Sequence, residues 1–488
     1  MKLKELLDEV EVLETNADLD MDIADIKYDS RAVRQGDLFV AIVGFETDGH
    51  KYIASAMESG AAAVLCQIRP DAGVPFIRVK NSRLALALVS KVYFRAPAEE
   101  MKMIGVTGTN GKTTSTVLIK QMLESVLNAK VGLIGTNSNM IGNETLPAER
   151  TTPESYEVQK LFRRMADEGC TYVVMEVSSH ALTLDRVAGI RFAVGLFTNL
   201  TQDHLDFHGT MENYAEAKAL LFSQCERGIV NLDDDWAKFM LAHAKCPMMT
   251  YSVDSMEGDL IARDLRIGPS DIKFVALHGD DGLARVRLPI PGKFSVYNAL
   301  GVIACGICLG LEMDACVRSL ETAHGVKGRV EVVPTDGDYT ILIDYAHTPD
   351  ALENVLRAMK ENAEGRVVVL FGCGGDRDRT KRPIMGAIAA KTADFVIVTS
   401  DNPRTEEPMA IIDEIVKGMK GIRTPHVVIE NRREAIAYAI DNHLPGDVII
   451  LAGKGHETYQ VLGKEKHHMD EREIIAEHLR ARAQKNKD

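Results

Sequence analysis

The stretch Gly108–Thr114 reads G-T-N-G-K-T-T and lies between an apolar run, "MKMIGV", and a segment with helical patterning, "STVLIKQMLESVL". Glycines let backbone N–H groups turn toward phosphate, Lys112 offers an ammonium to the outer phosphates, and the Thr113 hydroxyl can meet Mg²⁺ at a helix start. The spacing departs from the usual G-x-x-x-x-G-K-[ST]. The first glycine of that pattern would stand at 106, where the chain has Val106, with Gly105 and Gly108 on either side. A plain Gly-rich strand-to-helix turn shares the composition, but a Lys and two Thr in register point to a nucleotide's phosphates.

Other polar groups gather at the ends of apolar runs. "VVMEVSSHAL" ends a strand with Glu176 and continues into Ser178, Ser179 and His180. A carboxylate at a strand end beside a phosphate loop suits Mg²⁺, a hard cation that prefers oxygen. "FTNLTQDHLDFHG" adds His204 and Asp206, and "HGTMENYAEAKALLFS" puts Lys218 on an amphipathic helix. Alone, the first would be a surface turn and the second a solvated lysine. Further on, "TSDNPRTEEP" holds Asp401, Asn402, Pro403 and Arg404, "GCGGDRDRTKRP" holds Arg377, and "AGKGHETYQ" holds Gly453 and Glu457. A planar guanidinium forks onto a carboxylate, so a substrate carboxylate is the natural partner of Arg404. The bland alternative is a β-turn built on Pro403.

The elements that carry these residues alternate. "GDLFVAIVG" reads as a strand and "HKYIASAMESGAAAVL" as a helix followed by a strand, giving a small mixed α/β unit that ends in the break "YFRAPAEE". Next come "MIGVTG", "KVGLIGT", "YVVMEVSSH" and "FAVGLFTNL", interleaved with helices, the pattern of a parallel sheet covered by helices. A second such set, "YTILIDYAH", "RVVVLFGCGG", "DFVIVTSDN", "HVVIEN" and "DVIILAGKG", follows, each strand leading into a helical stretch. The fold class is therefore α/β in three domains: a small mixed α/β domain over 1–98, a central P-loop-type parallel-sheet ATPase domain over 99–329, and a Rossmann-like α/β domain over 330–488. Ligands of open parallel sheets collect at the carboxyl ends of the strands, where this chain keeps its polar residues.

Composition narrows the class. The 488 residues exceed one compact core, and 45% hydrophobic with 26% charged is an ordinary globular profile. A net charge of -14 argues against a nucleic-acid partner. The charged N-terminus has no signal-type apolar core and no run reaches the length of a membrane span, so a cytoplasmic protein without membrane insertion is expected. Eight cysteines without paired spacing suit reduced thiols, and Cys305 with Cys308 fits an apolar helix core.

Taken together, "GTNGKTT", the Glu176 strand end and the Y-x-x-A-K pattern of Tyr214–Lys218 resemble the Mur ligase family, ATP-dependent amide-forming enzymes of peptidoglycan synthesis. The related folate polyglutamate synthetases continue GKG, so Thr113 favours the cell-wall branch. The resemblance implies an ATP site formed by Gly108, Thr109, Asn110, Gly111, Lys112, Thr113, Thr114, Asn298, Arg329 and Asp344. It implies Mg²⁺ held by Thr113, Glu176, His204 and a carbamylated Lys218, with Lys112, Glu176, His204 and Lys218 as the catalytic set. "YDSRAVRQGDLFVAIVGFETDG" and "RTTPES" resemble the UDP-muramoyl-dipeptide site, through Ser30, Phe45, Glu46, Thr47, Thr151, Thr152, Ser178 and Arg186. Leu184 departs from the Gln that many relatives carry, which removes a hydrogen bond from that pattern. D-N-P-R resembles the branch that adds meso-diaminopimelate, implying an amino-acid site of Arg377, Asp401, Asn402, Pro403, Arg404, Gly453 and Glu457. The implied reaction passes the γ-phosphoryl group of ATP to a substrate carboxylate, and the amine then displaces phosphate. A monomer acting on ATP, UDP-MurNAc-L-Ala-D-Glu and the diamino acid is expected. A lysine-adding relative, another Mur or folylpolyglutamate-type ligase, and an ATP-hydrolysing switch stand as alternatives.

Overall fold

The computed structural model describes residues 1–488 except 45–46, 269, 280–281 and 486–488. The chain forms two compact units, Met1–Asp259 with Gly301–Glu312, and Leu260–Leu300 with Met313–Asp488.

The first unit holds two sheets. The N-terminal one has the order Val12–Thr15, Phe76–Val79, Ala63–Cys66, Leu38–Val40, Ile26–Lys27, parallel except for its first strand. The second runs Met248–Ser252, Cys225–Asn231, Phe192–Phe197, Lys102–Thr107, Tyr172–Glu176, Val131–Ile134 in parallel. An antiparallel hairpin, Asn139–Ile141 and Glu144–Leu146, closes one edge. Its central strands are buried on both faces, which is why they read as unbroken apolar runs. Met103, Val173, Met175 and Phe192 form one core cluster with Phe162 and Met165 of the helix Ser155–Asp167. Lys102–Thr107 lies mid-sheet, with Val106 in register with Glu176 and Thr107 with Phe197. That register brings the loops after three neighbouring strands, which carry candidate site residues, to the same end of the sheet.

The second unit carries a six-stranded sheet ordered Glu331–Val333, Thr340–Asp344, Val448–Ala452, Val367–Phe371, Phe395–Val398, His426–Val428. All neighbours are parallel except the first pair. Helices Pro349–Lys360, Lys381–Thr392 and Pro408–Met419 pack on one face and Arg432–Asp441 on the other. One expectation needs correction: the strand Val448–Ala452 does not lead straight into a helix. A two-stranded hairpin, Tyr459–Leu462 and Glu465–His468, intervenes before the helix Glu471–Lys485. The unit also contains an antiparallel meander, Leu260–Ile267, Ile272–His278 and Gly282–Leu288, which the strand-and-helix alternation did not foretell.

Candidate active site

The functional side chains fall into two groups, each inside one unit. In the first, the helix Lys112–Leu127 begins at Gly111, whose φ of 84° is left-handed, and Gly108 has φ 148°. A Cβ on Gly108 would fall 1.9 Å from Thr198 Oγ1, so only glycine fits. The loop is held from the neighbouring strand end: Thr198 Oγ1 donates to Asn110 O at 2.6 Å, Asn110 N donates to Asn199 Oδ1 at 2.9 Å, and Thr201 N donates to Thr109 Oγ1 at 3.0 Å. Lys112 Nζ donates to Gly108 O and Thr109 O, both at 2.9 Å. Lys218 Nζ, fully buried, donates to the same Gly108 O at 2.8 Å and lies 4.5 Å from the centre of the Tyr214 ring. Burial, and then the charge of Lys112, push the Lys218 amine well below its ordinary pKa.

Glu176 is buried at the end of its strand and oriented by Thr136, whose N–H donates at 2.8 Å and whose hydroxyl donates at 3.0 Å. The expected Thr151, Thr152 and Ser178 join this group. Thr136 and Thr151 hydroxyls lie 3.0 Å apart, Thr152 Oγ1 donates to Glu176 O at 2.7 Å, and Ser178 N donates back to Thr152 Oγ1 at 3.1 Å. Arg186 Nη1 donates to Thr152 O at 3.1 Å, and its Nε stands 3.3 Å from Glu154. Leu184 caps the short helix Ser179–Thr183 with its backbone N–H. His204 adopts a left-handed φ of 52° and stands edge-on to His180, ring centres 4.9 Å apart. His208, whose pKa burial lowers to about 4, meets Ser179 Oγ at 2.9 Å and stacks on Tyr214. Tyr214 OH in turn lies 3.2 Å from Thr109 Oγ1. Ser30 sits in the turn Ser30–Ala32, and Thr47 Oγ1 lies 3.1 Å from Tyr52 OH. Among the described residues no hydrogen bond ties either to the Thr151–Ser178 group. Phe45 and Glu46 lie outside the described residues.

In the second unit, Asp344, Gly372, Cys373, Gly374, Asp401 and Gly453 stand at or just past the carboxyl ends of adjacent parallel strands. Arg377, Asp401, Asn402, Arg404, Gly453 and Glu457 line one cavity of about 260 Å³ together with Tyr345, His347 and Lys381. The glycines make it possible: a Cβ on Gly375 would fall 1.9 Å from Pro403 O, and one on Gly453 would fall 2.8 Å from Asp401 Oδ2. Arg404 has a left-handed φ of 52°, and its Nη1 donates to Gly375 O at 2.8 Å. Asp344 accepts from Val330 N and Ala346 N, both at 2.8 Å, while burial raises its pKa. The Arg329 guanidinium lies over the Tyr345 ring at 5.1 Å, and its buried Nε has no hydrogen-bond acceptor among the described residues. Asn298 is buried on the helix Lys293–Cys308.

Three family models cover most of the chain: the Mur ligase family catalytic domain over residues 22–108, the Mur ligase middle domain over 106–306, and the Mur ligase glutamate ligase domain over 328–455. The chain is 47% identical to the UDP-N-acetylmuramoyl-L-alanyl-D-glutamate--2,6-diaminopimelate ligase of Clostridium tetani, with 98% of this chain and 99% of that one covered. The chain belongs to the Mur ligase family. A Clostridioides difficile Mur ligase of the same description is 44% identical over 98% of this chain and 99% of its own. A solved structure of a UDP-N-acetylmuramoyl-L-alanyl-D-glutamate--2,6-diaminopimelate ligase superposes with a TM-score of 0.76 at 31% identity, covering 99% of each chain. A MurF ligase from Thermotoga maritima in complex with ADP shares the Mur ligase fold, with a TM-score of 0.60 at 20% identity over 96% of this chain and 99% of that one.

Sequence reasoning gives no role to Thr198, Asn199 and Thr201, although they open the segment "FTNLTQDHLDFHG". It gives no role of its own to Tyr214, which enters only as the start of the Y-x-x-A-K pattern, and none to Lys454. A polar Thr-Asn pair directly after a buried strand beside a phosphate loop was the available signal.

Proposed function

We propose that this chain is a cytoplasmic ATP-dependent ligase that joins meso-diaminopimelate to the D-Glu carboxyl of UDP-N-acetylmuramoyl-L-Ala-D-Glu. The observation that carries the reading is the cavity of the second unit, where Arg404, Asn402 and Glu457 converge on a space of about 260 Å³. A guanidinium and a carboxylate on one small cavity suit an amino acid that brings both a carboxylate and an ammonium. The relatives' names supply the diamino acid, and the segments matched by the family models support three domains with boundaries near 98 and 329.

In the first unit, Lys112 and the N–H groups of Gly108–Thr114 bind phosphate oxygens, and Thr151, Thr152, Ser178 and Arg186 orient the muramoyl peptide. Ser30, Phe45, Glu46 and Thr47 take the uridine end. The residues fit a Mg²⁺ ion carried on phosphates: Thr113 and Glu176 offer oxygen and His204 nitrogen. Among the described residues no group of three or more His, Cys, Asp or Glu side chains could hold a metal unaided. Lys218 would complete the set only as a carbamate, and its depressed pKa favours the free amine that such a modification needs. That amine adds to the carbon of CO₂, forms an N–C bond and releases a proton, giving an anionic carbamate. Mg²⁺ would neutralise charge on the transferred phosphoryl group.

No helix among the described residues is long and apolar enough to cross a membrane. The test is incubation with ATP, Mg²⁺, the UDP-muramoyl dipeptide and competing amines, read by mass spectrometry. A tripeptide carrying diaminopimelate in preference to lysine is expected. ATP hydrolysis without a ligated product would end this reading.

A further inference from the structure

Lys454 lies one residue beyond Gly453 and is completely buried, yet it does not line the cavity. Its Nζ donates to Glu457 Oε2 at 2.8 Å and to Asn402 Oδ1 at 3.0 Å. Asn402 Nδ2 donates to that same Glu457 oxygen at 2.9 Å, and Val461 N donates to Asn402 Oδ1 at 2.9 Å. The three side chains thus form a closed triangle with only one way round for the Asn402 amide. Both donors use Glu457 Oε2, and Oε1 makes no hydrogen bond among the described residues.

An ammonium buried this deeply persists because its partners compensate for lost water, and a half-buried carboxylate needs a nearby positive charge for the same reason. Tyr459 adds an aromatic face 5.7 Å from the ammonium. We infer that Lys454 is a positioning residue for the amino-acid site: it fixes Glu457 and Asn402 so that Glu457 Oε1 is presented to the ammonium group of an incoming zwitterion. This rests on the reading of the cavity as the amino-acid site. Lys454 touches no substrate, so its effect passes entirely through Glu457 and Asn402.

The test uses full-length protein and steady-state kinetics with meso-diaminopimelate, ATP and the UDP-muramoyl dipeptide varied in turn. Lys454→Met, nearly isosteric and uncharged, is expected to raise KM for diaminopimelate on the order of 10- to 100-fold. KM for ATP and for the dipeptide should stay within about twofold, a split that general loss of structure does not produce. In a Glu457→Gln background, adding Lys454→Met should raise KM for diaminopimelate far less than it does in the wild type, since only Asn402 is left for it to position. Should the single variant fail to fold, comparing Glu457→Gln with the double variant decides the matter, because the double leaves no unpaired buried carboxylate. An equal rise in all three KM values, or an undiminished effect of Lys454→Met in the Glu457→Gln background, would overturn the inference. Wild-type protein that makes no product with diaminopimelate would instead count against the function proposed above.

Discussion

Lys112 and Lys218 donate to one acceptor, the carbonyl of Gly108, at 2.9 and 2.8 Å. A second ammonium on that carbonyl oxygen would repel the first, so burial and the Lys112 charge together favour the neutral Lys218 amine. On the function proposed above, nucleotide phosphate would compete with the Gly108 carbonyl for Lys112, and carbamylation would turn the Lys218 amine into an anionic group.

The Lys218 amine, with its pKa depressed by burial, binds protons less readily in the folded than in the unfolded chain. Unmodified protein therefore gains stability as pH rises from the depressed value toward 10.5, and is penalised below it. Lys218→Met is expected to raise Tm in bicarbonate-free buffer near pH 7 while lowering kcat on the order of 100-fold or more. Calorimetry and turnover on the same preparations check both signs; a lower Tm would contradict the electrostatic account.

Asn199 grips the phosphate loop from a different strand, accepting from Asn110 N and donating to Asn110 O at 3.1 Å. Asn199→Ala should raise KM for ATP about tenfold, the cost of leaving these loop groups unsatisfied. Affinity of the isolated protein for diaminopimelate should stay unchanged by calorimetric titration.

Arg404→Ala is expected to cut kcat/KM for diaminopimelate on the order of 10²- to 10³-fold with ATP affinity nearly intact. Kinetics indistinguishable from wild type would show that the guanidinium recognises nothing.

Glu406 accepts from Arg382 Nη2 at 2.7 Å and from Asp376 N at 2.6 Å, and these bonds hold its pKa down at about 2, against an ordinary 4.5. Its contribution is present above pH 4.5 and is lost as pH falls toward 2. Glu406→Gln should lower Tm at pH 7, and the gap to wild type should shrink progressively below pH 4.5. A gap that stays constant to pH 3 would refute the pairing.

The central strands were legible because burial on both faces demands continuous apolar residues, as in Val173–Met175 and Val367–Phe371. Glu176 and Arg404 were legible because each ends or follows such a run with a group that chemistry can use, and Lys218 because it completes the Y-x-x-A-K pattern of the family. The Leu260–Leu288 meander was missed because its outer positions, among them Lys273, Arg285 and Arg287, are exposed and charged. Thr198 escaped because its partner Asn110 is 88 residues away, and single-sequence spacing carries no such pairing. Lys454 escaped for the opposite reason: it sits inside the segment "AGKGHETYQ", but the role inferred for it depends on complete burial, which local sequence does not reveal.

The left-handed backbone at Arg404 costs any residue but glycine about 1–2 kcal/mol. A directed-evolution campaign that selects only for heat tolerance would therefore favour Arg404→Gly and harvest sturdier, inactive molecules. Libraries built on this chain should hold codon 404 fixed and seek thermal gains elsewhere.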